Sequence, residues 1–341
     1  MPATTELRRL TIRDVAREAG VSLTTVSHSL NDRGYVDPAT RAKVKRIAEQ
    51  LGYRPNLRAQ RLRTGRANCI ALFSSMPFAV AGGTSRLGFM MEIAAIAAEA
   101  ALAKGLALML VPSLESSREL LDGLDIDGAL VIEPVADDPQ ILRLKERGVS
   151  IVCIGRQLST TTPLPYVDLQ PALTGRLLLE HLYAQGARRI SLLIGAQSRY
   201  SYLEVERVYQ EFVRDKNLPC FISKADESGG EESGRLTCMQ LMADHPEIDA
   251  ICVPVDAFAT GALRALRALE KRVPDDVMLV TRYDGLRARN SEPPMTAVNL
   301  HLEEVASLAV ELLFEHICAD RRRDVVMGPT PQIIARKSTM R

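Results

Sequence analysis

The apolar positions in residues 1–54 recur every three or four positions, which predicts short amphipathic helices. Thr11 is placed to cap the first helix and Gly20 to end it. Ser22 then caps a second helix after a turn of only a few residues, and Asp37 caps a third. Two helices joined by a short turn that contains glycine are typical of a helix-turn-helix.

From Cys69 onward the pattern changes to short, continuous apolar runs that alternate with amphipathic stretches. Seven of these runs are predicted to be strands: 69–75, 106–111, 128–133, 150–155, 189–195, 249–254 and 277–281. Helical periodicity lies between and after them, at 86–104, 138–147, 171–185, 202–216, 231–243, 257–271 and 301–319. Continuous apolar strands separated by helices indicate parallel sheets covered on both faces. Seven strands are too many for one small sheet, so we expect two α/β lobes.

The charged residues are sorted between these two parts of the chain. Residues 1–66 contain 14 Lys and Arg against 6 Asp and Glu, a net charge of +8. The other 275 residues contain 29 against 36, a net charge of −7, so the whole chain of 341 residues carries only +1. A small basic head on a larger acidic body favours a polyanion-binding module attached to a domain with a different task.

Several function classes lose support because their sequence signatures are missing. No run of about 18 uncharged apolar residues is present, and no apolar segment follows Arg8 and Arg9, so we expect neither a spanning helix nor export. The six cysteines lie far apart without a CxxC pair, which favours reduced thiols in a cytosolic protein over a zinc site. The motifs GxSxG, HExxH, GxxxxGK[ST] and GxGxxG are absent, so we expect no enzyme, no metal and no cofactor.

The second predicted helix has a polar face that its packing does not require. Val26 and Leu30 belong to its inward stripe, whereas Thr24, His28 and Asn31 lie on the opposite face. A threonine can hydrogen-bond or touch a thymine methyl group, and a histidine can donate to a purine. The alternative is a merely solvated helix face. The net charge of the surrounding segment favours base recognition.

Residues 11–65 resemble one family almost without a gap. The string TIRDVAREAGVSLTTVSHSLN, followed by TRAKV, LGYRPN and AQRLRTG, resembles the lactose-repressor (LacI/GalR) family of bacterial transcription regulators. Further pieces of the body, HLYAQGARRI, VPDDVMLV and PPMTAV, resemble the same family. The resemblance implies an all-α helix-turn-helix DNA-binding headpiece. It also implies an α/β two-lobed effector domain with parallel sheets, of the type I periplasmic-binding-protein-like fold.

The resemblance implies roles in DNA binding for residues of the headpiece. The positions that match base-contacting residues are Leu23, Thr24, Thr25 and His28. The positions that match phosphate-contacting residues are Thr11, Ser22, Ser27, Asn31 and Asn56. Because leucine cannot hydrogen-bond, Leu23 would contact a base edge only through its apolar surface.

The stretch after Asn56 resembles the family's hinge, which becomes helical only on operator DNA. Two hinges of a dimer then enter the minor groove together. Ala59 matches the small residue that lets the hinges approach each other, and Leu62 matches the wedge that opens a central base step. Arg58 and Arg61 would add positive charge in the minor groove. The alternative for Leu62 is a linker leucine that rests on the body.

The resemblance also implies domain boundaries and an effector site. The expected domains are a helix-turn-helix domain at 1–54, a hinge at 55–66 and an effector-binding and dimerisation domain at 67–341, with lobe 1 at about 67–168 and 299–325 and lobe 2 at about 169–298 and 326–341. A small ligand should bind in the cleft between the lobes. The expected contacts are Ser74, Ser75, Arg156, Arg207, Asp256, Tyr283 and Asp284. The alternative for each is an interlobe salt bridge or a strand-end cap.

Arg207 and Asp284 match the positions that most often contact effectors in this family. An Arg and an Asp suit a ligand with hydroxyl groups or a carboxylate. The segments MPFAVAGG and TRYDG depart from the family's usual NPFF and GFDD, so the ligand could be a sugar, a nucleobase or an anionic metabolite.

These observations predict a sequence-specific DNA-binding transcription repressor, controlled by a small-molecule effector. It would be located in the cytoplasm and would bind a near-palindromic operator as a homodimer, since one headpiece covers only a half-site. Two alternatives stay open: an architectural DNA-binding protein without an effector, and a transcription activator of the same family.

Overall fold

The computed structural model describes residues 10–32, 34–53, 65–81, 88–111, 122–158, 163–318 and 322–340. Its contacts divide the chain into two compact units, Met1–Ala67 and Asn68–Arg341.

The first unit contains three helices, α1 (Ile12–Ala19), α2 (Leu23–Leu30) and α3 (Pro38–Gln50). The Thr11 backbone and hydroxyl both donate to Asp14 Oδ2, at 2.9 and 2.8 Å, and these bonds fix the first turn of α1.

Gly20 ends α1 in the left-handed conformation, with φ of 68°, and Ser22 Oγ accepts a hydrogen bond from Thr25 N of α2. The chain therefore turns between the two helices within three residues. Val15, Val26 and Val44 are fully buried and join the three helices in one core. The predicted helix-turn-helix headpiece is confirmed.

The second unit contains two six-stranded sheets. The first sheet has the order β11-β5-β4-β3-β1-β2, with β1 Cys69–Ser74, β2 Ala107–Val111, β3 Gly128–Ile132, β4 Ser150–Ile154, β5 Tyr166–Asp168 and β11 Val325–Met327. The second has the order β12-β10-β9-β8-β6-β7, with β6 Ile190–Gly195, β7 Phe221–Ala225, β8 Ala250–Val253, β9 Met278–Thr281, β10 Thr296–Asn299 and β12 Gln332–Ile334. The predicted parallel α/β architecture is confirmed for all pairs except β10–β12, which is antiparallel.

Helices connect the strands and cover the sheets. They are α4 Phe78–Ala81, α5 Phe89–Ala103, α6 Pro139–Glu146, α7 Pro171–Ala184, α8 Tyr200–Asp215, α9 Glu231–Asp244, α10 Asp256–Ala268, α11 Leu286–Arg289 and α12 Leu302–Cys318, with a 3₁₀ turn at Glu227–Gly229. Helix α12 follows β10 of the second sheet but packs against α5 and against β3 and β4 of the first.

The chain therefore passes between the sheets three times: between β5 and β6, between β10 and α12, and between β11 and β12. No helix within the described part of the chain is long and apolar enough to span a bilayer.

Candidate functional site

The first turn of α2 carries the most accessible polar side chains of that helix. Ser22, Leu23 and Thr24 are exposed, and the Leu23 residue is 44% exposed. Val26 and Ser29 face the core and are buried. The N-terminal end of a second helix in a helix-turn-helix is the part that meets base edges in the major groove. The exposure of Ser22, Leu23 and Thr24 therefore matches that of a helix that contacts base edges.

His28 lies one turn further along α2, against the loop that follows the helix. A Cβ atom on Gly34 would lie only 2.6 Å from His28 Nδ1, so the glycine leaves just enough room for the imidazole. The loop is in turn tied to α3, because Asp32 accepts from Lys45 Nζ at 2.8 Å and from Arg41 Nη1 at 3.3 Å. The hydrogen bond from Lys45 lowers the pKa of Asp32. The loop and α3 thus fix where His28 stands.

The second candidate site lies at the carboxyl ends of strands in the two sheets. A small cavity of about 30 Å³ lies there, partly open to solvent. Its lining is largely apolar, with Ser74, Glu133, Asp256, Arg282 and Tyr283 as the polar members; the apolar members are Met76, Val80, Ala81, Phe89, Met90, Ile132, Pro254 and Val255. Concave, mainly apolar sites with a few convergent polar groups are typical of small-molecule binding.

The polar residues around this cavity are already bonded to one another. Glu133 Oε1 lies 2.6 Å from Arg282 Nη2, and Asp256 Oδ2 lies 2.9 Å from Arg287 Nη1. The Tyr283 hydroxyl donates to Glu92 Oε2. Burial, followed by the hydrogen bond to Glu92, raises the pKa of Tyr283, so the phenol stays protonated.

Other side chains in this unit provide little support for metal or thiolate chemistry. Within the described residues, no group of three or more His, Cys, Asp or Glu side chains is arranged to hold a metal ion. Burial raises the pKa of the Cys238 and Cys252 thiols to about 12, so these sulfurs stay protonated.

Comparison with known proteins identifies the family to which the chain belongs. The model "Bacterial regulatory proteins, lacI family" matches residues 11–56, and the model "Periplasmic binding protein-like domain" matches residues 179–339. The HTH-type transcriptional regulator CelR of Thermobifida fusca is 32% identical over 351 residues, which cover 97% of this chain and 98% of that protein. The chain belongs to the LacI family.

Two solved structures are similar over nearly the whole LacI-family chain. A complex of the transcriptional regulator CelR with cellobiose has 29% identity and a TM-score of 0.69, covering 97% of this chain and all of the other. The lac repressor dimer bound to operator and the anti-inducer ONPF has 22% identity and a TM-score of 0.77, covering 98% of this chain and all of the other. The predicted class, a DNA-binding transcription regulator with a periplasmic-binding-protein-like body, is confirmed.

Four of the expected effector contacts of this LacI-family body lie at or beside the cavity. Ser74, Asp256 and Tyr283 line it, and the Ser75 hydroxyl accepts from Arg199 Nη1 at 3.2 Å just outside it. Ser74 is the last residue of β1, and Asp256 and Tyr283 lie shortly after β8 and β9, where parallel strands bring distant residues together.

The other three expected contacts do not line the cavity, and their role in effector binding stays a prediction. Arg207 lies on the solvent side of α8, with a side chain 49% exposed, and pairs with Glu204 and Glu211 of the same helix. Arg156 is exposed, and its guanidinium lies 4.9 Å from the centre of the Tyr200 ring. Asp284 is neutralised at the strand end by Arg336 Nη1 at 2.6 Å and Arg289 Nη2 at 3.3 Å. None of the three is among the described residues that line the cavity.

Sequence reasoning missed Glu133, Arg199, Glu227 and Arg282, four charged residues buried around the cleft. A signal was present for two of them. Glu133 and Arg282 each directly follow a continuous apolar strand, a position where charge has to face the cleft or a partner. Arg199 directly precedes α8 and Glu227 begins the 3₁₀ turn, so neither follows an apolar strand and neither had such a signal.

The expected DNA contacts Asn56, Arg58, Ala59, Arg61 and Leu62 of this LacI-family chain lie outside the described residues. Tyr35, in the loop before α3, is 98% exposed.

Proposed function

We propose that the protein is a transcription repressor that binds a near-palindromic operator as a homodimer, and that a small molecule in the cavity changes its operator affinity. The accessible face of α2 carries this proposal, because it lies on a helix-turn-helix within a segment of net charge +8. One such headpiece spans only a half-site, so a two-fold dimer is needed to cover a palindrome. The lac repressor was solved as a dimer on operator, which supports this assembly by analogy of fold.

The proposed base-contacting residues are Leu23, Thr24, Thr25 and His28, and the proposed phosphate-contacting residues include Thr11, Ser22, Ser27 and Asn31. Exposure supports Leu23 and Thr24 most directly. Thr25 and Asn31 also have structural tasks, because Thr25 Oγ1 lies 2.9 Å from Ser22 Oγ and Asn31 Nδ2 donates to Ser27 O at 2.7 Å. We therefore expect Thr24 and His28 to contribute most of the base recognition.

The proposed effector contacts are Ser74, Asp256 and Tyr283, together with Glu133 and Arg282. Their position on the cavity wall supports this assignment. The similar CelR structure holds cellobiose, which supports binding of a small polar molecule in a body of this fold. The operator-binding state would shift by the difference in the ligand's affinity for the two states of the body.

Operator selection tests the proposal. The full-length protein is incubated with a random duplex pool, with and without cell metabolites, and the retained sites are sequenced. We expect a two-fold symmetric site. In the His28→Ala variant, the base preference at one position of each half-site should relax by ~1–3 kcal/mol.

The matched control is Glu18→Ala, an exposed change on α1 that should leave the selected site unaltered. If no duplex is enriched over bulk competitor under any metabolite, the repressor proposal is wrong. If the His28→Ala site is identical to the wild-type site, His28 does not contact a base.

A second candidate function is regulation without an effector. One observation favours it: the charged and phenolic side chains on the cavity wall are already bonded within the chain. A thermal-shift screen against the same metabolites distinguishes the two, because a bound effector would raise the melting temperature.

A further inference from the structure

The buried guanidinium of Arg199 crosses the cleft between the two sheets. Arg199 is 1% exposed and comes from the segment that joins β6 to α8 of the second sheet. Its Nε and Nη2 atoms bond Glu227 Oε1 and Oε2 at 2.8 and 2.6 Å, also on the second-sheet side. This bidentate pair neutralises the buried charge within its own half.

The remaining donors of Arg199 reach the first sheet. Nη2 donates to Ser75 O at 3.0 Å, and Nη1 donates to Ser75 Oγ at 3.2 Å and to Glu133 O. Ser75 and Glu133 directly follow β1 and β3. An arginine has five N–H donors, and here all five are used, three of them across the cleft.

A second buried group crosses in the opposite direction. Glu133, 3% exposed, extends from the first sheet and accepts from Arg282 Nη2 at 2.6 Å and from Ser201 Oγ at 2.5 Å, both attached to the second sheet. Backbone contacts lie beside these side chains. Val135 forms an isolated β-bridge with Arg199, and Ala136 N donates to Ser198 O at 3.3 Å.

We propose that Arg199 and Glu133 form a clamp that holds the two halves of the body together in the absence of any ligand. Two features of the geometry carry this proposal. Both charges are compensated and fully hydrogen-bonded by the chain itself, so neither needs a ligand to remain buried. The bonds also run in both directions, so separating the sheets would leave buried polar groups on both sides without partners.

The clamp has a consequence that rests on the proposed function. A ligand that enters the cleft more deeply than the present cavity has to replace the bonds of Arg199 and Glu133. Because the clamp already closes the body without a ligand, binding of such a ligand would open the body rather than close it. The clamp itself can be tested without DNA and without a ligand, so its failure is distinguishable from failure of the repressor proposal.

Hydrogen–deuterium exchange of the full-length protein, with no small molecule added, tests the clamp. The Ala136 amide, which donates to Ser198 O across the cleft, should be protected in the wild type. The double variant Arg199→Met with Glu227→Gln removes both charges together and so leaves no uncompensated buried ion. In that variant we expect the Ala136 amide to exchange about tenfold faster or more, because local opening then costs less free energy.

The control is Tyr209→Phe. The Tyr209 hydroxyl is a buried bridge inside the second sheet's half, bonded to Ile190 O at 2.8 Å and to Phe221 N at 2.8 Å. Its loss should alter exchange near Phe221 and leave the Ala136 amide protected, which separates a clamp from a general loss of stability.

A second pair keeps the test decisive if the first variant does not fold. Glu133→Gln with Arg282→Met removes the other half of the clamp and should also raise exchange at Ala136. An unprotected Ala136 amide in the ligand-free wild type would overturn the clamp without any variant. Unchanged protection in either folded double variant would overturn it as well.

Discussion

At the scale of single residues, the position of His28 depends on a neighbour that makes no hydrogen bond with its side chain in the described contacts. Gly34 has φ of 62°, and its missing Cβ leaves the space that the His28 imidazole occupies. Arg41 Nη2 donates to Gly34 O at 3.3 Å, so α3 holds this backbone in place. The loop therefore shapes the recognition surface from behind.

We predict that Gly34→Ala weakens operator binding more than it weakens the fold. The new Cβ would push the imidazole away, and a non-glycine residue at positive φ costs about 1 kcal/mol in addition. Operator Kd and melting temperature are measured on the same protein. Gly52→Ala is the matched control, because it has a similar φ of 64° but no atom within 4 Å of the added Cβ. Equal loss of operator affinity in both variants would show that backbone strain alone is responsible.

The sequence could predict the role of residues whose partners are near in sequence, but not of residues whose partners are distant. The caps at Thr11 and Ser22 could be predicted, since a cap acts within one helical turn. Arg199 could not, because its partners Ser75 and Glu133 lie 124 and 66 positions away and meet it only through the sheet topology. Arg207 was placed in the cleft by motif position. The helical phase of α8 instead turns it toward Glu204 and Glu211.

At the scale of elements, continuous apolar runs were a reliable signal. All seven predicted strands are present, from β1 at Cys69–Ser74 to β9 at Met278–Thr281. The five strands that the sequence analysis missed have only three to five residues, and all except β11 have mixed polarity, as in the YVD of β5 and the FISKA of β7. Short strands with polar residues lack the buried run that identifies a strand in sequence.

Helices α9 and α10 approach each other closely through glycine. A Cβ on Gly261 would lie 2.0 Å from Glu231 O, and one on Gly234 would lie 2.5 Å from Phe258 Cα. Both clashes are with backbone atoms, which cannot move aside as a flexible side chain can. The two helices also carry buried residues of the second sheet's core, such as Leu241 and Leu266.

We therefore predict that Gly261→Ala lowers the free energy of unfolding by about 1–3 kcal/mol, as overpacking does, despite alanine's better helix propensity. Denaturant unfolding of the full-length protein measures this. Gly175→Ala in α7 is the control, because its added Cβ would be 3.4 Å from Val205 Cγ1, an ordinary contact. This variant should lower the free energy of unfolding by less than about 1 kcal/mol, or raise it. Loss of equal size in both variants would contradict the close-packing explanation.

At the scale of the whole molecule, the two units differ in net charge and in topology. The basic excess lies in residues 1–66, whereas the body of 275 residues carries −7. The chain passes between the body's two sheets three times. A movement of one sheet relative to the other therefore acts on three connections rather than one. A near-neutral whole with a strongly basic part should be attracted to DNA through that part alone.

The last prediction concerns salt. Each Lys or Arg that neutralises a phosphate releases a condensed counterion, so log K should fall linearly with log salt, and six to ten contacts would cost about 10³–10⁵ in affinity between roughly 50 and 200 mM. Lys43→Gln with Arg46→Gln, two exposed changes on α3, should reduce the steepness of this dependence. Arg176→Gln, an exposed change on α7 of the acidic body, should leave the steepness unaltered although it removes one positive charge as well. Operator Kd is measured by fluorescence anisotropy over a salt series. A wild-type Kd that does not change with salt would contradict phosphate contact by the headpiece. An equal change in slope for the Arg176→Gln variant would contradict it as well.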